Sequence, residues 1–229
     1  MRSCVCIIPA RGGSKRLPRK NILPFHGKPM ICWTIESAIN SECFNKIIVS
    51  SEDDEVKQIA SAYANLVIAD RDQNLASDSA TVSDVLLDIL NKEDNDLFDI
   101  ICCLFPASPL RTYKDVQTVV NNISPGEIDF SIAVTDYDLP PHQALKIDKN
   151  NQIEPMFPEL VNLRDEKIGR LVVDNGSTYA ASVTAFNKQK NFYGQPAKAH
   201  YMPRERSVDI NYQIDLELAD FYFQKSHQL

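Results

Sequence analysis

Three near-continuous apolar runs, Cys4–Pro9, Lys46–Ser51 and Asp99–Phe105, constrain this chain more than any other feature. Runs of that length without alternation suit strands covered on both faces, as in a parallel sheet between two helical layers. Leu66–Ala69 and Asp129–Thr135 read as further strands, with amphipathic segments between them. Pro29–Asn40 sets Ile31, Thr34, Ile35, Ala38 and Ile39 on one face, behind a proline suited to a first helical turn. Asp53–Tyr63 opens with acids that complement the positive end of a helix, and Thr81–Leu90 and Tyr113–Val120 repeat the helical period. The alternation predicts an α/β fold with an open, doubly wound, mostly parallel sheet and right-handed crossovers. Ligands of such sheets bind beyond the carboxyl ends of the strands.

After Asp136 the texture changes. Leu139-Pro140-Pro141-His142 precedes an isolated strand at Ala144–Ile147, a turn at Asp148–Asn151 and an irregular stretch through Arg170. This predicts an inserted β-hairpin and arm at about 137–172, of a kind that packs on a second subunit. The chain returns with a strand after Gly176, another at Lys198–Met202 and a closing helix from Gln213 to Gln224. With 229 residues, 44% of them hydrophobic, residues 1–229 are expected to form a single domain. The apolar run Val5–Pro9 is too short for a membrane span or a signal segment, so a cytoplasmic location with no membrane partner is expected. Six cysteines without a CxxC pair fit that compartment as small buried hydrophobes.

A net charge of −7 excludes a general nucleic-acid binder, which needs a basic face. The exception is local. The first strand empties into Pro9-Ala10-Arg11-Gly12-Gly13-Ser14-Lys15-Arg16-Leu17-Pro18-Arg19-Lys20-Asn21, which holds five cations and no acid. Paired glycines let backbone N–H groups approach an anion, and fixed cations neutralise charge on a transferring phosphate. A solvated basic turn does not account for such a concentration in an acidic protein. The stretch has neither GxGxxG nor GxxxxGK[ST], so it is neither a dinucleotide loop nor a P-loop.

This loop resembles the signature of the CMP-sugar-acid synthetases, the family of CMP-N-acetylneuraminate and CMP-pseudaminate synthetases. Leu75-Ala76-Ser77-Asp78, Ser108-Pro109-Leu110-Arg111, Asn175-Gly176 with Tyr179, and Ser207-Val208-Asp209-Ile210 agree with it in order along the chain. The resemblance implies a Rossmann-like nucleotidyltransferase fold that transfers CMP from CTP to the anomeric hydroxyl of a nine-carbon, sialic-acid-like sugar acid. Pyrophosphate would leave. It further implies that Arg11 and Lys20 contact the phosphates, that the backbone of Ala10, Gly12, Gly13 and Ser14 cradles them, and that Asn21 and Arg71 touch the nucleotide. Ser79 and Thr81 offer hydroxyls beside the same site, with helix capping an equally good explanation.

Nucleotidyl transfer calls for a divalent cation with hard oxygen ligands, Mg2+ above all. The family pattern places two aspartates in the last motif. Here they are Asp209 and Asn211, so the second ligand is an uncharged amide. Asp215, on the following helix, reads as an acid complementing the helix dipole. Lys146 resembles the family's substrate-facing lysine for the acceptor carboxylate, with Gln143 and Asn175 as polar contacts. Tyr179, Phe105, Phe192 and Tyr193 are expected to wall the sugar pocket. An aromatic at Phe105 and the stretch Leu139–Lys146 look more like the pseudaminate branch than the N-acetylneuraminate branch. The general base stays open between Asp209 and a metal-bound hydroxide. A homodimer is expected. The rival readings are a nucleotidyltransferase for another sugar acid and a nucleotide-binding module without catalysis, for which Asn211 is the only support.

Overall fold

The computed structural model describes residues 2–77, 79–93 and 97–227; Asp78 of the Leu75–Asp78 stretch lies outside them. In chain order the elements are β1 (Cys4–Pro9), β2 (Pro24–Phe25), β3 (Lys28–Pro29), α1 (Met30–Asn40), β4 (Lys46–Ser51), α2 (Asp54–Ser61), β5 (Leu66–Asp70), α3 (Val82–Glu93) and β6 (Ile100–Leu104). There follow α4 (Tyr113–Asn121), β7 (Phe130–Thr135), β8 (Leu145–Ile147), β9 (Ile153–Pro155), α5 (Asp165–Ile168), β10 (Val173–Ser182), α6 (Val183–Gln189), β11 (Ala197–Tyr201) and α7 (Gln213–His227).

Seven strands form one sheet in the order β11-β7-β10-β6-β1-β4-β5. All neighbours run parallel except β10, which is antiparallel to both β6 and β7. The near-continuous apolar runs of the sequence become β1, β4 and β6 at the centre, where both faces are covered. In β1 the alternation then sorts side chains by layer. Cys4, Cys6 and Ile8 pack with Ile31, Ile35, Val56 and Val116 of α1, α2 and α4. Val5 and Ile7 pack with Leu86, Ile89 and Phe186 of α3 and α6 on the other face. All six cysteines are free thiols, and burial pushes Cys102 and Cys103 well up from ordinary thiol values.

A third apolar group, with Leu17, Phe25, Met30, Ala107, Val208 and Ile210, lies under α7. It seats the cationic loop and the Ser207–Ile210 segment against one another. The inserted hairpin is β8 paired with β9, and its strands are exposed throughout. The two-residue strands β2 and β3, the single-turn α5, and α6, a short helix capped by the Ser182 side chain, have no counterpart in the sequence reading. No helix among the described residues is long and apolar enough to cross a membrane.

Candidate active site

From β1 the chain winds outward to β4 and β5, then returns to form β6 on the other side of β1. That reversal opens a crevice at the carboxyl ends of the strands, where doubly wound folds bind ligands. A cavity of about 490 Å3 fills it, lined by Arg11, Arg16, Lys20, Asn21, Arg71 and Asp209. A second cavity of about 590 Å3 continues past Gly176 and Asp209, which line both, toward Asp174 and Tyr222.

The loop after β1 is held by its backbone. Ala10 N donates to Ser50 O at 2.9 Å, extending the β1–β4 ladder, so this N–H is engaged within the sheet. Gly12 N donates to Glu52 Oε1 at 2.7 Å. A Cβ on Gly12 would come within 2.4 Å of the Asp53 carboxylate, which caps α2, so only glycine fits there. Gly13 has open space around it. Arg19, in a left-handed conformation, pairs with Asp53 and Glu55. It therefore braces the loop on α2 and is absent from the cavity lining.

Asn21 is buried; its Nδ2 donates to Arg11 O at 2.8 Å, while its Oδ1 has no hydrogen-bond partner. A buried acceptor lining a cleft without a donor suits a ligand that brings one. Arg71 is also buried, with Nη2 donating to Ser50 O at 2.8 Å, and burial lowers its pKa. Ser77 and Thr81 line the cavity but Ser79 does not. The Thr81 hydroxyl donates to Asp84 Oδ2 at 2.7 Å and accepts from Asp84 N at 3.2 Å, so of the two explanations for Thr81 the capping one is realised.

The centre of the cleft is a chain of four polar side chains. Asn211 Oδ1 accepts from Lys20 Nζ at 3.1 Å and from Arg16 Nη2 at 2.6 Å, while Asn211 Nδ2 donates to Asp209 Oδ2 at 2.7 Å. Burial lowers the Lys20 pKa, against the opposing charge of Asp209. Burial raises the Asp209 pKa, against the hydrogen bond from Asn211 and the charge of Lys20. Gly176 supports this carboxylate from below. Its φ of +66° favours glycine, and a Cβ there would sit 3.1 Å from Asp209 Oδ2. The β10–β7 register breaks between Asp174 and Tyr179, around that glycine, as bulges beside functional sites do.

On the far side, Phe105 meets Tyr179 edge to face at 5.5 Å, and Tyr179 packs on Phe192 at 5.4 Å. The Tyr179 hydroxyl donates to Asp174 at 2.8 Å, the Tyr193 hydroxyl donates to the same carboxylate, and so does Gly176 N at 2.9 Å. Held by three donors, Asp174 fixes the two tyrosines. Burial, together with Asp174, pushes the Tyr193 phenol up to about 12.

Several expected site residues lie elsewhere or face elsewhere. Asn175 borders the second cavity, but its Oδ1 accepts from Ser177 Oγ at 2.7 Å and its Nδ2 donates to Ser207 Oγ at 3.2 Å. It ties β10 to the Asp209 segment. Gln143 is exposed on a 3-10 turn before β8, and Lys146 stands on the hairpin 3.8 Å from Glu154, so neither lines the cleft of its own chain. Arg16 and Glu52 are the parts the sequence reading passed over. Arg16 lay within the basic run and Glu52 at the end of β4, but only the fold turns them toward Asn211 and Gly12.

For a divalent cation the donor set is sparse. Among the described residues no three His, Cys, Asp or Glu side chains converge as a metal site. Among the described residues Asp209 is the one carboxylate lining the first cavity, and Asp215 Oδ2 is taken by the Asn211 and Tyr212 backbone amides at 2.8 Å each. The Asn211 carbonyl faces Lys20 and Arg16, so it does not fit as a ligand in this arrangement. One hard carboxylate beside a phosphate-sized cationic cleft does fit Mg2+, which keeps several waters and binds through one or two carboxylates and substrate phosphates.

A doubly wound sheet whose switch-point cleft brings fixed cations together with one half-buried carboxylate defines a nucleotidyltransferase-type α/β protein. Comparison with known proteins makes this specific: a profile of the cytidylyltransferase family matches residues 5–228, and the chain belongs to that family. It is 31% identical over 227 residues to a pseudaminic acid cytidylyltransferase of Campylobacter jejuni, covering 98% of this chain and 97% of the relative. It is 31% identical to a CMP-N,N'-diacetyllegionaminic acid synthase of Legionella pneumophila, covering 94% of each. A solved CMP:2-keto-3-deoxy-manno-octonic acid synthetase complexed with CTP shares the fold, with a TM-score of 0.72 at 18% identity over 99% of this chain and all of that one.

Proposed function

We propose that this cytidylyltransferase transfers CMP from CTP to the anomeric hydroxyl of a nonulosonic acid, with a pseudaminic-type acid as acceptor. The observation that carries the reading is the convergence of Arg11, Arg16, Lys20 and Asp209 on one cleft. The anomeric hydroxyl gives its proton to the Asp209 carboxylate as its oxygen attacks the α-phosphorus, the α–β phosphoanhydride bond breaks, and that bond's electron pair leaves on pyrophosphate. Lys20 and the arginines hold the charge that develops on the phosphates. Asn21 and Arg71 contact the nucleoside end. Asp209, whose burial makes it a stronger base than an exposed aspartate, is the carboxylate beside the transferring phosphate. Mg2+, when bound through Asp209, supplies further neutralisation of phosphate charge.

The aromatic wall of Phe105 and Tyr179 favours an acceptor with an apolar face, and two relatives given above are named for pseudaminic and diacetyllegionaminic acids. Gln143 and Lys146 contact the acceptor in this reading from the arm at 137–172 of a second subunit, since their own cleft is out of reach. The arm's exposed Leu139, Leu145, Ile147, Ile153 and Met156 support a homodimer built on it. A cytoplasmic location accords with a substrate supply of CTP. Pyrophosphate release from CTP, measured with pseudaminate, legionaminate and N-acetylneuraminate, tests the whole reading. Fastest release with pseudaminate is expected, whereas CTP binding with no release for any acid would leave only a binding module.

A further inference from the structure

The motif around Asp209 is approached from a distance by a buried carboxylate that the reaction does not use. Asp115, in the first turn of α4, is 2% exposed. Its Oδ2 accepts from Thr112 N at 2.8 Å and Thr112 Oγ1 at 2.7 Å, closing a capping box. A capping box needs no more than that. Here the same carboxylate also takes the Arg206 guanidinium at Oδ2, while Oδ1 lies 2.9 Å from His200 Nε2 of β11. Those partners are 91 and 85 residues away along the chain. Burial alone would raise its pKa, but the bonds from His200 and Thr112 and the charge of Arg206 hold it well below the usual carboxylate range.

Arg206 stands three residues before Asp209. The intervening segment has no regular structure and is fixed by discrete ties. Ser207 Oγ donates to Pro203 O at 3.0 Å, Val208 and Ile210 are buried, and Ile210 N donates to Ala107 O at 3.0 Å. The downstream end is thus fastened to the strand-end loop of β6 and the upstream end to Asp115. We infer that Asp115 is a positioning residue for Asp209, acting through Arg206 to set where the Asp209 carboxylate stands in the cleft. The inference rests on the reading that Asp209 serves the transferring phosphate. Partners that orient a ligating or reacting carboxylate typically cost about 10–100-fold in metal affinity or activity when removed.

The test compares Asp115→Asn, Arg206→Ala and Arg206→Lys with Asp209→Ala. Two readouts are taken on folded protein: steady-state kcat and KM, and the calorimetric affinity for CTP with and without Mg2+ and with no acceptor. Asp115→Asn and Arg206→Ala are expected to lower kcat about tenfold with little change in KM for CTP. The gain in CTP affinity that Mg2+ confers should shrink to a similar degree, and Arg206→Lys should restore most of both. If Asp115→Asn does not fold, the two Arg206 variants decide by the same readouts. Variants that melt earlier yet keep wild-type kcat and Mg2+ response would overturn the inference while an inactive Asp209→Ala upholds the role of Asp209. Wild-type turnover in Asp209→Ala would overturn both.

Discussion

The two walls of the cleft are built on different terms. The nucleotide wall hangs from the ends of β1 and β4, and its main parts are fastened within one chain: Ala10 to Ser50, Gly12 to Glu52, Arg19 to Asp53, Asn21 to the Arg11 carbonyl. The proposed acceptor wall has a packed half, Phe105 just after β6 and Tyr179 on β10, and an exposed half on the hairpin of β8 and β9. The loop wall is thus tied together within one chain, whereas Gln143 and Lys146, the proposed acceptor contacts, stand at a hairpin the chain presents outward.

The largest effects are expected where the two walls meet. Lys20→Ala should lower kcat/KM by about 10²–10³-fold with circular dichroism unchanged, because it removes preorganised charge at a loop position rather than a core side chain. Near-normal turnover would detach the cationic loop from the chemistry. Gly176→Ala comes next. Its Cβ would press on Asp209 from 3.1 Å and would have to adopt a left-handed backbone, so a loss of about tenfold or more in kcat and about 1 kcal/mol in stability is expected.

A pH profile sharpens the electrostatic half of the contrast. Burial lowers the Lys20 pKa from 10.5, and the charged form is the one that meets phosphate. Activity is therefore present below that lowered value and lost as pH rises through it, so the alkaline limb should fall earlier than an exposed lysine would give. Lys20→Arg should move that limb upward if it retains activity. Lys146→Ala should raise KM for the sugar acid severalfold while CTP affinity stays within about twofold, a split that a nucleotide contact would not produce. The smallest effect is expected for Asn211→Asp. It keeps acceptors for Lys20 and Arg16 but sets a second carboxylate beside Asp209, so tighter use of Mg2+ should follow, read as a lower half-saturating concentration.

What the sequence made legible follows from burial. The strands Cys4–Pro9 and Lys46–Ser51 were readable to the residue because both of their faces are covered, leaving an uninterrupted apolar run that only a central strand explains. The cationic loop was readable by its contrast with an acidic chain, although of its five cations Arg19 proves to be structural, bracing the loop on Asp53 and Glu55. α6 escaped because seven residues behind a serine cap carry too little period to stand out. Side-chain direction was the larger loss. Asn175 and Asn211 sit where their motifs place them, yet their amides are turned to Ser177 and Ser207, and to Lys20, Arg16 and Asp209. Gln143 and Lys146 lie on an element whose place relative to the cleft no spacing reveals. Asp115 carries no signal of its own in the sequence, and only the fold brings Arg206 and His200 to it.

The account turns on where the triphosphate of CTP lies. A crystal structure of the CTP complex should find it in the cleft between the Arg11–Lys20 loop and Asp209, with a donor group of the nucleoside on Asn21 Oδ1. A nucleotide bound elsewhere, with that loop turned to solvent, would contradict it.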